Sequence, residues 1–288
     1  MAPITGCPCS PRSISPWSAA AETAARHASS VLLIERYGFC GGAVVAGLSG
    51  TICGMYPSTE REANRPEQVV FGFTERFRAA MEARGGITAP QKYGKTWTVT
   101  HDPLAWREVA DGFLADAGVR VLFHSLVVGV IMENNRVLGI AVDSKAGRGA
   151  VHAKTVIDAS GDGVQVGVRQ TRSINDVERL TNDDVVVRRK RPDGVVRLSW
   201  LIELHSGERP KLEWIHDDYY EGPFDALLPE KGENLITTER CLSAEHEALT
   251  SAWVTAQCFG YGNATGLAAV TGQEFRELLD KDGARLSE

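Results

Sequence analysis

The stretch VLLIERYGFCGG, residues 31–42, places an apolar run directly before an acid and a glycine-rich turn. The run from Val31 to Ile34 predicts a short buried strand, and Glu35 follows at its tip. A carboxylate in this position accepts hydrogen bonds from nucleotide ribose hydroxyls when a glycine-rich loop precedes it by about 20 residues. The stretch therefore predicts an α/β unit and supplies half of a dinucleotide-binding signature.

The other half of the signature is not found where it is expected. The preceding region reads CPCSPRSISPW, and no glycine occurs between Gly6 and Gly38. The alanine-rich segment 18–27 predicts a helix that leads into the strand, as in a βαβ unit. The first strand of that unit should lie before residue 11, but MAPITGCPCS contains no run of β-branched residues. We therefore expect this strand to be missing or rewritten.

Composition describes an ordinary globular protein. The chain has 288 residues, of which 43% are apolar and 24% charged, enough for one large domain or two modest ones. A net charge of −6 argues against a nucleic-acid partner. The basic run 188–191 precedes Pro192-Asp193-Gly194, between two valine-rich segments. We interpret it as a solvated hairpin tip and not as a functional patch.

Targeting and redox signals are weak. No stretch of 18 apolar residues occurs, so no membrane association is expected, and prolines interrupt the first 16 residues, unlike a secretory signal. The cysteines form no C-x-x-C pair and have no metal-ligand spacing to histidines, so no metal site is expected. A reducing, cytoplasmic compartment is the expectation. The six cysteines are Cys7, Cys9, Cys40, Cys53, Cys241 and Cys258.

The middle of the chain alternates helical and strand patterns. Apolar spacing predicts a helix over 65–84, and Asp102 followed by Pro103 predicts the start of another helix. Two apolar runs around an asparagine-rich turn predict a hairpin. A further strand is expected to enter the turn Ser160-Gly161-Asp162-Gly163, where backbone amides can approach a ligand. The expected strands are 119–123, 126–132, 137–142, 149–153 and 155–159.

The last third begins with alternating residues 195–204, followed by a short strand over 235–237. Residues 252–270 are apolar and rich in small residues, which predicts a buried helix. Its three glycines, Gly260, Gly262 and Gly266, each disfavour a helix by about 1 kcal/mol. Close packing against another backbone or a flat ligand would account for them.

Four segments in this order resemble one family, the FAD-dependent oxidoreductases of the two-dinucleotide-binding-domain type, in the fumarate-reductase-like group. The resemblance covers about two thirds of the chain. Because order and spacing both match, the set is more specific than any one motif. The segments are VLLIERYGFCGG (31–42), HDPLAWREVADGFLADAGVRVLFHS (101–125), VIDASGDG (156–163) and NLITTERCLSAEHEAL (234–249).

The resemblance implies an α/β fold, with a Rossmann-like FAD-binding core, a β-meander and a reduced second region. It implies FAD as cofactor, a small-molecule substrate and hydride transfer between the two. Expected boundaries are an FAD-binding core over 1–170, a substrate-domain remnant over 171–230 and a return to the core over 231–288. The oligomeric state cannot be read.

Individual positions take their expected roles from the resemblance. Glu35 would bind the ribose, and the last helix would start near the flavin, where its N-terminus would stabilise negative charge. The complete set of expected cofactor residues is Glu35 and Arg36 at the ribose, Gly41 and Gly42 at the pyrophosphate and isoalloxazine, Val127 and Val128 at the adenine, Ala159, Ser160, Gly161 and Asp162 in the second turn, Arg240 and Ser243 near the ribityl chain, and Gly262, Asn263 and Ala264 by the pyrimidine edge.

The chain departs from the family pattern at three places. Pro11, Ser13 and Pro16 stand where the three loop glycines belong, and proline offers no N–H to a phosphate. In the family a long substrate-domain segment follows the Gly-Asp-Gly turn. Here only residues 164–170 separate the turn at 161–163 from the next family-like segment, 171–174, so much of the substrate domain that would cover the flavin is expected to be absent. Glu239 stands where the family has a glycine. An alternative function is therefore a non-catalytic remnant that has lost FAD binding.

Two residues are candidates for catalysis. His246 can act as an acid or base near a flavin, although a histidine at a helix start is more often polar surface. Arg172 can hold a substrate carboxylate, although an arginine in such a place more often forms a structural ion pair.

Overall fold

The computed structural model of the protein describes residues 7–11, 16–27, 30–47, 49–61, 66–160, 177–204, 211–272 and 275–286. Strands and helices alternate along the first half, as a βαβ unit requires. The strands are β1 (Cys7–Pro11), β2 (Val31–Ile34), β3 (Thr51–Ile52), β4 (Gln91–Tyr93), β5 (Thr96–Thr100), β6 (Arg120–Leu122), β7 (Leu126–Glu133), β8 (Arg136–Ser144), β9 (Gly147–His152), β10 (Val156–Ala159), β11 (Gly194–Leu198), β12 (Ile202–Leu204), β13 (Lys211–Glu213), β14 (Tyr220–Pro223) and β15 (Leu235–Thr237).

The helices include two long ones that pack directly on each other, α1 and α7. Two short 3-10 helices, Asp225–Leu227 and Glu239–Cys241, interrupt the last third. The α-helices are α1 (Pro16–Arg26), α2 (Gly42–Ala46), α3 (Phe73–Ala83), α4 (Pro103–Asp116), α5 (Asn182–Val186), α6 (His246–Ala252), α7 (Thr255–Thr271) and α8 (Arg276–Lys281).

A five-stranded parallel sheet forms the centre of the fold, in the order β15-β10-β1-β2-β6. The strand expected to be missing or rewritten is therefore present: β1 pairs with β10 on one side and β2 on the other. The alternative of a missing strand was wrong because it rested on side chains, whereas the ladders are made by the backbone. Its sequence is nonetheless unusual for a central strand, since Pro8, which pairs with Leu32, provides no N–H.

The sheet is covered on both faces. Leu33 and Ile157 pack into the main core with α1, α4 and α7, whereas Leu32 and Ile34 pack into a second cluster with Ile140 of the β-meander. Adjacent residues of β2 thus point to opposite faces, and both faces are buried, which explains its continuous apolar sequence. The meander β7-β8-β9 is antiparallel, and Asn134 in its first turn has a φ of 52°.

The aromatic part of the core joins three helices. The rings of Phe77 and Trp106 lie 4.7 Å apart between centroids, and Phe259 contacts both. Phe73 and Phe113 complete this group, which links α3, α4 and α7. The glycines of α7 are accommodated by close packing, as expected: a Cβ at Gly266 would lie 2.6 Å from the backbone oxygen of Ala20 in α1.

The second region contains two small sheets, in which β11 pairs with β14 and β12 with β13, both antiparallel. A three-stranded sheet, β3-β5-β4, comes from the first part of the chain. The expected fold class, α/β with a Rossmann-like core, a β-meander and a reduced second region, is confirmed. Within the described ranges, no helix is both long enough and apolar enough to cross a membrane.

Three predicted elements differ in extent or type. The helix predicted over 65–84 begins only at Phe73, because Gly72 at its start has a φ of 70°. The alternating segment 195–204 forms two strands in different sheets. The basic run 188–191 is not a hairpin tip, since the valines before it belong to α5. Its residues are held by ion pairs, for example Arg189 with Asp183 at 2.9 Å.

Candidate functional site

The candidate site lies at the carboxyl edge of the parallel sheet. Strand β1 is flanked by β2 on one side and by β10 on the other, so the chain order reverses around it. Ligands of open α/β sheets bind at such a switch point, beyond the carboxyl ends of the strands. Residues Glu35, Ser160 and Thr238 directly follow β2, β10 and β15 and therefore lie at this edge.

Glu35 is fixed in place by its backbone. Its N–H donates to the carbonyl of Leu122 at 2.9 Å, and its carbonyl accepts from the N–H of Ser125 at 3.0 Å. These bonds continue the β2–β6 pairing by one residue and hold the side chain at the strand end. The residue is 1% exposed. The acid predicted from VLLIERYGFCGG is thus a buried residue at the sheet edge.

The carboxylate of Glu35 is only partly satisfied. Oε1 accepts the backbone N–H of Tyr37 at 2.8 Å, whereas Oε2 is buried and has no hydrogen-bond partner among the described residues. Burial raises the pKa of Glu35 to about 7, against the opposing effects of the Tyr37 and Arg36 backbone amides and the Arg36 charge. A buried acceptor without a donor is unfavourable, so this oxygen is suited to a ligand hydroxyl.

Aromatic and cationic groups follow Glu35. The rings of Tyr37 and Phe39 stack with centroids 5.3 Å apart, and the Arg36 guanidinium carbon lies 5.7 Å from the centre of the Tyr37 ring. On the other side, the Arg107 guanidinium carbon of α4 lies 3.8 Å from the Phe39 ring centre. This stack fixes the path of the chain between Glu35 and the following glycines.

The glycines Gly41 and Gly42 make the turn into α2. Gly41 has a φ of 136°, and a Cβ there would lie 2.3 Å from Cγ2 of Val45. Gly42 has a φ of 52° and begins the helix. A side chain at Gly41 would therefore be excluded by both conformation and space, which keeps the backbone of this turn bare.

Val127 and Val128 lie at an irregularity of β7: Val127 pairs with Val142 and Gly129 with Ala141, so Val128 is an extra residue in this strand. Val127 packs against the cluster that includes Leu32 and Ile34 of β2, whereas Val128 is exposed. This packing carries the first strand of the meander to the β2 side of the sheet. Contact of these two residues with an adenine remains a prediction.

At the end of β10, Ala159 is buried and Ser160 is half-buried. The backbone N–H of Ser160 donates to Oδ1 of Asp158 at 2.8 Å, which turns the chain at the strand end. The other expected residues of this turn, Gly161 and Asp162, lie outside the described residues, and so does the candidate catalytic residue Arg172.

The segment after β15 is buried. Thr238 donates its N–H to the carbonyl of Asp158 at 3.1 Å, and the next residue, Glu239, has a φ of 62°. Arg240 is buried, with its guanidinium carbon 6.0 Å from the Trp253 ring centre. Ser243 is buried too and is held through its backbone, since its N–H donates to the carbonyl of Ala226.

Gly262, Asn263 and Ala264 are buried but do not start a helix. Helix α7 begins at Thr255, so these residues lie about two turns inside it, and the expected helix N-terminus beside them is wrong. Oδ1 of Asn263 accepts the hydroxyl of Thr23 in α1 at 2.8 Å. Its Nδ2 is buried without a hydrogen-bond partner among the described residues.

His246 is exposed at the first position of α6. Another histidine, His101, was not predicted from the sequence; it is buried, and its ring lies 4.6 Å from the Trp106 ring between centroids, tilted by 49°. Burial lowers the pKa of His101. In the sequence His101 directly precedes the helix cap Asp102, and the local pattern predicts the cap but not the burial of the histidine.

Most of the sequence, residues 18–278, matches one family model in two segments. The model is described as FAD dependent oxidoreductase, and the matched residues are 18–164 and 163–278. The chain belongs to this family. A comparison with curated protein sequences gives no match.

Several solved structures are similar in fold to this family member. The Mycobacterium smegmatis Sdh1 complex in the apo form has a TM-score of 0.54 at 11% identity, with 96% of this chain and 69% of that chain covered. Thermovibrio ammonificans THI4 has a TM-score of 0.47 at 14% identity, covering 91% and 87%. A geranylgeranyl bacteriochlorophyll reductase-like protein from Thermoplasma acidophilum has 0.44 at 16%, covering 96% and 82%. At these identities the likeness concerns the fold alone.

One residue at the sheet edge fits the FAD of this oxidoreductase family. The partnerless Oε2 of Glu35 is suited to accept a ribose hydroxyl, whereas the space beside Gly41 is filled by Val45 and Trp106. FAD is therefore the cofactor that family and site both indicate. In the described part of the chain, no group of three or more histidine, cysteine or acidic residues is placed to hold a metal ion.

Proposed function

We propose that this protein is an FAD-dependent oxidoreductase that transfers a hydride between a small organic substrate and FAD. The observation that carries the proposal is the buried carboxylate of Glu35, with one oxygen held by Tyr37 and the other without a partner in the described chain. Such an acceptor, at the switch point of a parallel sheet, has the position and chemistry required to bind the ribose of an adenine nucleotide.

The residues of this chain would divide the work of binding. Glu35 would accept the ribose hydroxyl, and the turn at Gly41 and Gly42 would lie near the pyrophosphate. Arg240 and Ser243 would contribute near the ribityl chain, as the family resemblance implies. When bound, FAD supplies the hydride acceptor of the reaction, and the protein supplies orientation and electrostatics.

The raised pKa of Glu35 bears on this role. Near neutral pH the carboxyl is only partly ionised, because burial removes the water that would stabilise its charge. A ligand hydroxyl that donates to Oε2 stabilises the ionised form and lowers the pKa of Glu35 on binding. Adenine-nucleotide affinity should therefore rise as pH increases from about 6 to 8.

We also propose the three-part organisation, with boundaries near residues 170 and 230. In its support, β15 from the last part pairs with β10 from the first, while the small sheets β11–β14 and β12–β13 come from the part between them. The two matched family segments meet at residues 163–164, as they would if the intervening substrate segment of the family were shortened.

The thiols of Cys40, Cys53, Cys241 and Cys258 support a cytoplasmic location, because none forms a disulfide.

Purification of the expressed chain tests cofactor binding directly. We expect a yellow protein, or a colourless one that gains visible flavin absorbance and thermal stability when FAD is added. Glu35→Ala should weaken FAD binding by about tenfold or more, since a buried partner of the ligand is lost. Glu133→Gln, at an exposed glutamate in the β7–β8 hairpin, is the matched control and should bind as the original chain does.

Hydride transfer is tested on the FAD-loaded protein. Anaerobic incubation with a panel of small alcohols, amines and hydroxy acids should bleach the visible flavin bands with at least one class. A chain that stays colourless and shows no thermal shift with excess FAD would overturn the proposal and leave the non-catalytic remnant. A yellow chain that no substrate bleaches would retain FAD binding and contradict the hydride-transfer step.

A further inference from the structure

A cavity of about 270 Å³ is lined by none of the residues that end the strands of the parallel sheet. Its walls come from β5, β11 and the segments 57–61, 66–69 and 217–219. The wall is braced by main-chain bonds, for example from the N–H of Asp217 to the carbonyl of Ser58 at 2.8 Å. None of the residues expected to hold the cofactor lines this cavity.

The acidic side chains of the loop 217–219 are paired with cations. Oδ2 of Asp217 lies 3.3 Å from Nε of Arg61, and Oδ1 of Asp218 accepts from Nζ of Lys190 at 2.7 Å. Arg188 lies 3.9 Å from the other oxygen of Asp218. The two aspartates are therefore paired with cations of the chain itself, and Glu67 adds an exposed carboxylate to the lining.

Arg197 of β11 is different. Its guanidinium carbon lies 4.5 Å from the centre of the Tyr219 ring, so the plane of the group is supported by an aromatic face. No carboxylate of the described residues forms an ion pair with it, and its buried Nε has no hydrogen-bond acceptor there. A guanidinium held on one face keeps its edge N–H groups for a planar acceptor.

Trp97 of β5 contributes a second donor to the same cavity. The residue is 8% exposed, and its indole Nε1 has no acceptor among the described residues. An indole N–H is a donor only, and buried ones usually find a partner. Two donors without acceptors, on two different strands, thus line a single cavity.

We propose that this cavity binds a small monocarboxylic acid, whose carboxylate accepts hydrogen bonds from Arg197 and Trp97. The carboxylate has the planar pair of oxygens that a guanidinium edge binds best. The volume lies below the range of sites for drug-sized ligands, which restricts the occupant to a small acid. A phosphate dianion is repelled by the acids of the lining, Glu67, Asp217 and Asp218, more strongly than a carboxylate with a single charge.

Binding can be measured without FAD, so this proposal stands or falls separately from the proposed function. Isothermal titration calorimetry of the purified chain would use butyrate and benzoate, their uncharged amides, and inorganic phosphate. We expect at least one carboxylate to bind, and its amide to bind about tenfold more weakly or not at all. Phosphate should bind more weakly than the carboxylate.

Variants assign the binding to the cavity. Arg197→Gln should weaken carboxylate binding by about tenfold or more, and Trp97→Phe by severalfold. Arg148→Gln is the matched control, because Arg148 pairs with Asp143 on the meander at 2.6 Å and does not line the cavity. Carboxylate binding should also alter the tryptophan fluorescence of the original chain. The Trp97→Phe variant should not show this change.

Thermal melts of each variant show whether it folds. If Arg197→Gln does not fold, Arg197→Lys and Trp97→Phe decide instead. Lysine keeps the charge but not the two-pronged edge, so affinity should still fall by several-fold. Equal affinity in these variants, equal binding of acid and amide, tighter binding of phosphate, or no binding of either acid would each overturn the proposal.

Discussion

The backbone N–H of Tyr37 donates to Oε1 of Glu35 at 2.8 Å, and this bond holds the carboxyl group inside the protein rather than at its surface. The bond satisfies one oxygen only, because Oε2 is buried without a partner in the described chain. The net effect of burial is a pKa raised to about 7. Glu35 therefore titrates in the range where the protein would work.

Replacing Glu35 should change the pH dependence of stability. An unfolded glutamate loses its proton near pH 4.5 and the folded one near 7, so rising pH between these values favours the unfolded chain. The accumulated loss is about 3 kcal/mol by pH 8. Glu35→Gln does not titrate, so its free energy of unfolding relative to the original chain should rise by about that amount between pH 4.5 and 8. Urea unfolding at both pH values measures it.

Glu133→Gln provides the control for this effect, because Glu133 is exposed at the end of β7. Its stability difference from the original chain should be nearly the same at both pH values. Parallel pH profiles for Glu35→Gln and the original chain would contradict the raised pKa. Added FAD should reduce the pH-dependent difference in unfolding free energy between Glu35→Gln and the original chain, since a ligand donor stabilises the charged form of Glu35.

The contact between α1 and α7 makes a second prediction. A Cβ at Gly266 would lie 2.6 Å from the oxygen of Ala20 and 2.9 Å from Cβ of Thr23. Gly266→Ala should therefore destabilise the protein by about 1–3 kcal/mol, although alanine is the better helix former. Gly112→Ala in α4 is the control: no atom lies within 4 Å of its Cβ position, and it should stabilise by about 0.5–1 kcal/mol. Chemical unfolding that shows both variants stabilised would refute the close packing.

Local patterns predicted those elements whose cause is local. Asp102 was predicted to cap a helix, and its Oδ1 accepts the N–H of Leu104 at 2.7 Å. The strand over 235–237 was predicted with its observed bounds. Strand β1 was not predicted, because Cys7–Pro11 has a poor strand sequence and is held by neighbours on both sides. The pairing partners are remote in sequence, so no window around residue 9 could reveal them.

The same distinction separates the parts of the candidate site. Glu35 was found because the acid, the strand and the glycines are adjacent in sequence. The placement of Asn263 was missed because its partner Thr23 lies 240 positions away. Trp97 and Arg197 share a cavity for the same kind of reason, since β5 and β11 meet only in the folded chain. Sequence alone gave no signal for either relationship.

A buried ion-pair group provides a third prediction. Arg76 of α3 bonds Glu22 of α1 and Asp282 beyond α8, each at 3.1 Å, and so joins three parts of the chain. Burial raises the pKa of Glu22 even with this partner in place. Arg76→Met leaves two nearly buried acids with less positive charge, and we expect a loss of about 2 kcal/mol. Urea unfolding at neutral pH measures the loss.

Arg78→Met is the matched change on the same helix. Arg78 pairs with Glu75 at 2.8 Å and Glu82 at 3.0 Å, and both acids are substantially exposed. Its removal should cost about 0.5 kcal/mol or less. Equal losses for the two arginines would show that burial of the Arg76 group adds nothing. The loss in Arg76→Met should shrink at low pH, where Glu22, whose pKa is raised by burial, becomes protonated and needs no cation.

The backbone at Glu239 makes the last prediction. Its φ of 62° lies in the left-handed region, which costs about 1–2 kcal/mol for an L-residue with a side chain and little for glycine. Glu239→Gly and Glu239→Ala both remove the carboxylate and whatever it contacts, so their difference isolates the backbone. We expect the glycine variant to be more stable than the alanine variant by about 1 kcal/mol, after the greater freedom of unfolded glycine is counted. Denaturant unfolding of the two variants side by side measures this difference. An alanine variant as stable as the glycine variant would mean that the chain at residue 239 does not hold the left-handed conformation in solution.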